Sequence, residues 1–202
     1  MQYFQHFPEI DSVEWTEYFL KEFIPKYKFF ENLSKSTYNY VQYNDIYNYP
    51  AIAKLSSILK SKFNLPPIEY FLILRHNKET QPIHIDGVKQ FRYASLNLAI
   101  KGFENTKMIF YKKNNSNADV SVTNAYYYDI KDVTPVEEFT GTNEWVLVNS
   151  GEPHQVIGID TDNPRITVCI RFVGNPTFKE LIKRKTFWRT KLWISNAIVT
   201  QK

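Results

Sequence analysis

The pattern of apolar and polar positions changes near residue 68. Before this point, apolar residues recur every three or four positions in two segments, which predicts two amphipathic helices. The first covers residues 11–24, with Asp11 or Ser12 as the N-cap, and we expect Pro25 to end it. Its apolar side is formed by Trp15, Phe19 and Phe23.

The second predicted helix begins near Pro50, because proline is well accommodated in the first turn of a helix. Its apolar side is formed by Ile52, Leu55, Leu59 and Phe63. Between the helices, residues 38–49 are rich in Tyr and Asn. Part of this connector alternates with a period of two, which predicts either an edge strand or a group of tyrosines at the mouth of a pocket.

After residue 68, short apolar stretches alternate with polar turns, which predicts strands. Eight strands are expected: Ile68 to Arg75, Ile83 to Asp86, Tyr93 to Ile100, Lys107 to Lys112, Ala125 to Ile130, Trp145 to Asn149, Gln155 to Ile159 and Ile166 to Phe172. A polar hairpin is expected at residues 114–117. Eight short strands, mostly without intervening helices, are typical of a β-sandwich or jelly roll. The predicted fold class is therefore mainly β with flanking helices.

The segment 176–202 predicts a C-terminal helix, because Thr177-Phe178-Lys179-Glu180 has the pattern of a capping box. This helix is basic through Lys179, Lys183, Arg184, Lys185, Arg189 and Lys191. We interpret these residues as a solvated face, with Trp188 and Trp193 docking the helix on the rest of the protein. A nucleic-acid-binding patch is the less favoured interpretation.

The composition supports a folded chain, since 43% of its 202 residues are hydrophobic. We predict one domain over residues 1–202, with a helical and aromatic extension at 1–67, a jelly-roll core at 68–175 and the basic helix at 176–202. The net charge of +4 does not require an anionic partner. No apolar run approaches the thickness of a bilayer, so no membrane association is expected. The single cysteine, Cys169, precludes an internal disulfide and suggests a reducing, cytoplasmic location.

The strongest chemical signal lies in the stretch Gln81-Pro82-Ile83-His84-Ile85-Asp86. On a strand, alternate side chains project from the same face, so His84 and Asp86 would lie side by side. They supply two of the three ligands of a 2-His-1-carboxylate iron site, which leaves metal positions open for chemistry. His154 is the best candidate for the third ligand, because it follows a strand and a tight turn and the other two histidines precede the motif.

Polar and apolar side chains also alternate over residues 165–172. Arg165 and Thr167 would therefore share one face of a strand, and the apolar residues would take the other. An inward arginine is costly unless it meets an anion, and its planar guanidinium pairs bidentately with a carboxylate. We therefore expect Arg165, assisted by the hydroxyl of Thr167, to bind an anion near the metal.

The series His84-x-Asp86, His154 and Arg165-x-Thr167 resembles the Fe(II)/2-oxoglutarate-dependent dioxygenase superfamily, over roughly residues 68–173. The resemblance implies a double-stranded β-helix, an iron held by His84, Asp86 and His154, and 2-oxoglutarate bound through its distal carboxylate by Arg165 and Thr167. It also implies that O2 and 2-oxoglutarate yield succinate and CO2 as an unidentified substrate, a small molecule or a protein side chain, is oxidised. Thr167 replaces the family's usual serine and keeps the hydroxyl.

Within the superfamily, the segment from His154 to Arg165 resembles the aspartyl/asparaginyl hydroxylase and prolyl-hydroxylase-like branches. The spacing Arg165-x5-Arg171 resembles the paired arginines of nucleic-acid demethylases. That family also carries Asn-x-Tyr ahead of H-x-D, however, and here Asn77 is not followed by that tyrosine. Nucleic acid is therefore the less favoured partner.

Several interpretations stay open at this point. Asn97 either bonds the co-substrate near the metal or is a satisfied polar residue of the core. Arg171 is interpreted as structural, and His76 is expected in a turn. Two other functions are compatible with the pattern, because a fold does not fix an activity. One is a cupin-like metalloprotein that does not use 2-oxoglutarate, and the other is a non-enzymatic jelly roll that binds sugar or protein.

Overall fold

The computed structural model describes residues 2–26, 37–42, 48–86, 94–114, 119–120 and 126–185. Within these ranges, the strands form two antiparallel six-stranded sheets. The strands are β1 (Phe4–His6), β2 (Thr37–Gln42), β3 (Ile68–His76), β4 (His84–Ile85), β5 (Ser95–Lys101), β6 (Lys107–Lys113), β7 (Asp119–Val120), β8 (Tyr126–Tyr127), β9 (Val133–Thr140), β10 (Trp145–Val148), β11 (His154–Ile157) and β12 (Arg165–Phe172).

The strand order shows how the chain passes between the two sheets. The first sheet has the order β1-β10-β5-β12-β3-β2, and the second has the order β7-β8-β4-β11-β6-β9. Successive strands from β3 to β6, and again from β10 to β12, therefore alternate between the sheets. This crossing pattern is that of a jelly roll and confirms the predicted fold class.

The N-terminal helical segment begins at Asp11, whose side chain accepts hydrogen bonds from the backbone N–H groups of Val13 and Glu14, each at 3.0 Å. It is α-helical over Ser12–Glu17, π-helical over Tyr18–Phe23 and α-helical again over Ile24–Lys26. The prediction that Pro25 ends the helix is wrong. In an α-helix, the proline ring collides with the carbonyl four residues earlier, and the wider π-helical turn before Pro25 relieves this collision.

The second helix spans Pro50–Phe63 and confirms the predicted one. Pro50 occupies the first turn, where its missing N–H costs nothing. Asn64 ends the helix in the left-handed conformation, with φ of 54°, and its N–H donates to the carbonyls of Leu59 and Lys60. Asparagine tolerates this conformation better than most residues. None of the helices in the ranges given above is long and apolar enough to cross a membrane.

Two hydrophobic cores lie on either side of the first sheet. The larger core lies between this sheet and the helices, where Phe71 of β3 contacts Phe19 and Phe23 with ring centroids 6.1 and 5.4 Å apart. The sheet contributes Ile68, Ile73, Leu96, Leu98, Ile100, Trp145, Leu147, Ile166, Val168, Ile170 and Phe172 to this core. The smaller core lies between the sheets and includes Met108, Phe110, Val146, Val148 and Val156. The helices therefore cover one face of the first sheet, and its other face lines the interior of the barrel that the two sheets form.

The predicted strands are present, but two are much shorter than expected, and the strand predicted over residues 83–86 is reduced to β4. The strand predicted over residues 125–130 is reduced to β8, and Ile130 begins a short 3₁₀ turn. Strands β1, β7 and β9 were not among the predicted strands, and Pro135 in β9 is a residue that usually argues against a strand interior. β9 lies at the end of the second sheet, and its register with β6 shifts between Phe110 and Tyr111, the residue that pairs with Pro135. A proline is tolerated at such an irregular edge.

The aromatic connector contains β2, which pairs with β3 at the end of the first sheet and confirms the predicted edge strand. Of the tyrosines predicted at a pocket mouth, Tyr49 packs instead against the larger core, with its ring centroid 5.1 Å from that of Phe23, and the side chains of Tyr38, Tyr40, Tyr43 and Tyr47 fall outside those that the structure describes. So does most of the polar hairpin, residues 115–117.

The C-terminal helix begins with the predicted capping box, in which the Glu180 N–H donates to Thr177 Oγ1 at 3.2 Å and the Thr177 N–H donates to Glu180 Oε2 at 2.7 Å. Helical structure covers residues 178–185. Lys185 is buried, with its Nζ 3.7 Å from the ring centroid of Phe7 and 3.6 Å from Glu9 Oε2. Its assignment to a solvated face is therefore wrong, because its position in the helix turns it towards the N-terminal segment. The predicted docking residues Trp188 and Trp193, like Arg189 and Lys191, lie outside the described residues.

We expect Phe19→Ala to lower the free energy of unfolding by about 4 kcal/mol, because it removes a fully buried ring from the larger core. Urea denaturation measures this change. Val13→Ala is the matched control on the same helical segment, since Val13 is 62% exposed, and it should change stability by less than about 0.5 kcal/mol. Equal effects of the two substitutions would contradict the packing described here.

Candidate metal centre

Three potential metal ligands meet where β4 lies beside β11 in the second sheet. His84 and His154 are directly paired in the register of these strands, and their ring centroids are 4.5 Å apart. Asp86 follows β4, and its Oδ1 lies 3.6 Å from Nε2 of His84. One ligand atom from each of the three residues lies within 4.8 Å of the others. The structure therefore brings together the three residues that the sequence singled out.

Backbone carbonyls orient both imidazoles. Nδ1 of His84 lies 2.8 Å from the carbonyl oxygen of Pro82, and Nδ1 of His154 lies 2.8 Å from that of Glu152. A carbonyl oxygen only accepts hydrogen bonds, so each Nδ1 carries the proton and each Nε2 keeps its lone pair free. Burial, together with the nearby His84, lowers the pKa of His154 to about 4. His154 is therefore neutral at neutral pH, which is the state that binds a metal.

Arg171 holds the Asp86 carboxylate in place. Its Nη2 donates to Asp86 Oδ2 at 2.5 Å, and its Nη1 donates to Ser150 Oγ at 2.7 Å and to the Ala94 carbonyl at 3.0 Å. The Asp86 N–H donates to the Ser150 carbonyl at 3.1 Å. Burial acts to raise the pKa of Asp86, but the Arg171 charge and the two imidazoles outweigh burial and hold this pKa well below its usual range. Arg171 thus contacts the site directly, which a purely structural interpretation did not anticipate.

The polar side chains of β12 face the interior of the barrel. Ile166, Val168, Ile170 and Phe172 belong to the core under the helices, so the alternate residues Arg165, Thr167, Cys169 and Arg171 take the opposite face. Arg171 reaches Asp86, which identifies that opposite face as the interior.

Arg165, Thr167 and Asn97 are the predicted co-substrate residues, and each has a buried polar atom without a hydrogen-bond partner among the described residues. These atoms are Nε of Arg165, Oγ1 of Thr167 and Oδ1 of Asn97. Asn97 pairs with Cys169 across β5 and β12, so it faces the interior as well. Burial lowers the pKa of Arg165 to about 10, which still leaves it positively charged at neutral pH. The barrel interior therefore offers a cation and two neutral polar groups to a ligand.

His76 is an interior residue that the sequence analysis missed. It is the last residue of β3 and pairs with Arg165 in the register of β3 and β12, so its assignment to a turn is wrong. The Gln81 amide nitrogen lies 2.8 Å from Nδ1 and 2.9 Å from Nε2 of its ring. Phe71 and Ile73 of β3 face the larger core, so the alternate residues of this strand, up to His76 at its end, face the barrel interior. This alternation is the sequence signal that could have identified His76 as an interior residue.

No protein-family model matches the chain, and no curated protein matches it in sequence. Solved structures do match. HygX from Streptomyces hygroscopicus, determined with nickel and 2-oxoglutarate bound, is 12% identical over 83% of this chain and 80% of its own, with a TM-score of 0.50. SnoK, a non-heme α-ketoglutarate-dependent carbocyclase from nogalamycin biosynthesis, is 12% identical over 84% of this chain and 79% of its own, with a TM-score of 0.51.

The chain has the double-stranded β-helix fold. It shares this fold with HygX, whose structure holds nickel and 2-oxoglutarate, and with the α-ketoglutarate-dependent SnoK, in agreement with the resemblance found in the sequence. At 12% identity, the likeness is one of architecture. The chemistry of this chain therefore depends on its own residues at the site.

We expect Arg171→Met to lower the free energy of unfolding of the metal-free protein by about 3 kcal/mol, because it leaves the Asp86 carboxylate without its partner. Adding Asp86→Asn to Arg171→Met should cost little more, and a double-mutant cycle in urea with a chelator measures this coupling. Lys107→Met is the control, since it breaks an exposed pair with Glu138 at 2.8 Å and should cost less than about 0.5 kcal/mol. Strictly additive effects at positions 86 and 171 would refute the coupling.

Metal-free protein should lose stability as the pH falls from about 6.5 to about 4. Over this range, an unfolded histidine binds a proton that the folded His154, with its pKa of about 4, does not bind. The unfolded state is therefore favoured by acid, and His154 alone should account for a loss of about 2 kcal/mol between pH 7 and pH 5.

Urea unfolding at the two pH values, with a chelator present, measures this loss. The variant His154→Gln should reduce the pH dependence by that amount. Val13→Ala, an exposed substitution outside the candidate centre, should retain the full dependence. An unchanged slope for His154→Gln would count against a buried neutral imidazole.

Proposed function

We propose that this protein is an Fe(II)- and 2-oxoglutarate-dependent oxygenase. The observation that carries the proposal is the approach of His84, Asp86 and His154 to within 4.8 Å of one another, in a barrel whose interior also holds the buried Arg165. The double-stranded β-helix shared with HygX and SnoK supports it at the level of architecture.

The donor set fits ferrous iron. Two neutral imidazole nitrogens and one ionised carboxylate are the ligands of the 2-His-1-carboxylate facial triad, which leaves three metal positions open. The site contains no thiolate from the described residues, whereas structural zinc sites usually do. The carbonyls of Pro82 and Glu152 and the guanidinium of Arg171 fix the orientation of all three ligands.

The interior fits the co-substrate as well. Arg165 is a buried cation, and a buried charge is stable only when it is paired. Its planar guanidinium is suited to the distal carboxylate of 2-oxoglutarate, and the Thr167 hydroxyl adds a further donor to the same group. Asn97, on the neighbouring strand, would bond the co-substrate nearer the metal.

When bound, iron and 2-oxoglutarate would supply the oxidation: 2-oxoglutarate would become succinate and CO2 with one oxygen atom of O2 in the succinate, and the other would enter the substrate or leave as water with two hydrogen atoms taken from it. The chain itself would bind and orient these groups through the side chains named above. The substrate is a small molecule or a protein side chain, and hydroxylation is the first outcome to test. SnoK is described as a carbocyclase, so the same fold also carries other oxidations. A reducing cytoplasm, as the single cysteine suggests, would keep the iron ferrous.

Wild-type protein supplied with Fe(II), O2 and 2-oxoglutarate should form succinate. His84→Ala should reduce this turnover at least a hundredfold, because it removes a ligand of the iron. Arg165→Ala should chiefly raise the apparent KM for 2-oxoglutarate, by about a hundredfold, since it leaves the distal carboxylate unpaired. Quantifying succinate by mass spectrometry over a range of 2-oxoglutarate concentrations separates the two effects.

Two surface substitutions serve as controls and should leave both parameters unchanged. His6→Ala removes an imidazole of β1, and Lys101→Ala removes an exposed cation at the end of β5. Stoichiometric iron without any use of 2-oxoglutarate would instead favour the cupin-like alternative. Failure to bind any divalent metal after anaerobic reconstitution would favour a non-enzymatic binding module.

A further inference from the structure

His76 lies beside Arg165 at the end of the barrel interior. The two residues are directly paired across β3 and β12, so their side chains project from the same face. Directly paired residues in an antiparallel sheet have Cβ atoms about 5 Å apart, which is close enough for both to contact one small ligand. His76 is not a member of the metal-ligand group described above.

The segment after β3 fixes the His76 ring. Gln81 contacts the ring through its amide nitrogen, and its backbone N–H donates to the Val156 carbonyl at 2.8 Å. Thr80 also forms a β-bridge with Ile157. Gln81 is therefore anchored to β11, the strand that begins with His154, so the position of His76 is tied to that of the metal centre.

His76 is a neutral donor. Burial, followed by the positive charge of Arg165, lowers the pKa of His76 to about 3. The Gln81 amide nitrogen lies within 2.9 Å of both ring nitrogens, so it can donate to whichever of them lacks the proton, and the other ring nitrogen carries an N–H that the amide nitrogen cannot accept. None of the side chains described by the structure accepts a hydrogen bond from that second N–H. His76 thus has one hydrogen bond to give, and it lies on the interior face beside Arg165.

We propose that His76, oriented by Gln81, donates a hydrogen bond to the distal carboxylate of 2-oxoglutarate alongside Arg165 and Thr167. This inference rests on the proposed function. A carboxylate has about four acceptor positions. Arg165 takes two in a bidentate contact and Thr167 takes one, so one position is left for His76. A neutral donor fills it without adding a second buried cation, whose desolvation the ligand would have to offset. His76 thereby favours 2-oxo acids that carry a second carboxylate.

The experiment compares two 2-oxo acids, one with and one without the distal carboxylate. Protein loaded anaerobically with Fe(II) is titrated with 2-oxoglutarate or with 2-oxobutyrate, and the visible charge-transfer absorption of the Fe(II)–2-oxo acid chelate reports binding. His76→Leu should weaken 2-oxoglutarate binding about tenfold and leave 2-oxobutyrate binding unchanged. His76→Asn, which retains an N–H donor, should recover part of the loss. Gln81→Leu should act in the same direction as His76→Leu but more weakly.

The controls separate this inference from the proposed function. Lys101→Leu, at an exposed position at the end of β5, should change neither affinity, and urea unfolding verifies that each variant is folded. Equal weakening of both 2-oxo acids by His76→Leu, or no weakening of either, would overturn the role of His76 while leaving the oxygenase proposal intact. Wild-type protein that binds Fe(II) but neither 2-oxo acid would overturn the oxygenase proposal, and the role of His76 with it.

Discussion

The buried guanidinium of Arg171 joins the two sheets at the candidate metal centre. From β12 in the first sheet it donates to the Ala94 carbonyl just before β5, to Ser150 between β10 and β11, and to Asp86 just after β4 in the second sheet. An arginine cannot shed its proton, so its burial requires an anion. Asp86 is that anion. Such a pair adds little net stability compared with an apolar substitute, but it fixes the position of a carboxylate that would otherwise rotate.

Strand β12 carries core residues on one face and site residues on the other, because its side chains alternate with a period of two. One face of β12 carries aliphatic and aromatic residues into the core under the helices, and the other carries Arg165 and Arg171 into the barrel. A slip of one residue would exchange the two faces, placing the arginines in the apolar core and the apolar residues in the barrel. The large core therefore enforces the register that the site needs. Six residues of strand separate the Cα atoms of the two arginines by about 20 Å. Two long side chains can therefore reach towards opposite ends of a small dicarboxylate and its metal.

Much of this arrangement could be predicted from the sequence, because it depends on local periodicity. The spacing of His84 and Asp86 and the alternation around Arg165 determine which side chains share a face, and both were read correctly. Partners that depend on tertiary packing could not be found this way. The contact of Arg171 with Asp86 joins residues 85 positions apart in the chain. The irregular edge that accommodates Pro135 in β9 likewise depends on its pairing with β6, which no local pattern encodes.

The interior charges explain why metal and co-substrate would bind together. Among the side chains described at the site, Arg165 and Arg171 contribute two positive charges and Asp86 one negative charge, whereas His76 and His154 are neutral at pH 7. Fe(II) alone would raise this net charge from about +1 to about +3 in a poorly hydrated space, which is unfavourable. Under the proposed function, the dianion 2-oxoglutarate would return it to about +1 while pairing Arg165 and chelating the metal. Each ligand would therefore raise the affinity for the other, because the coupling between two binding events is reciprocal.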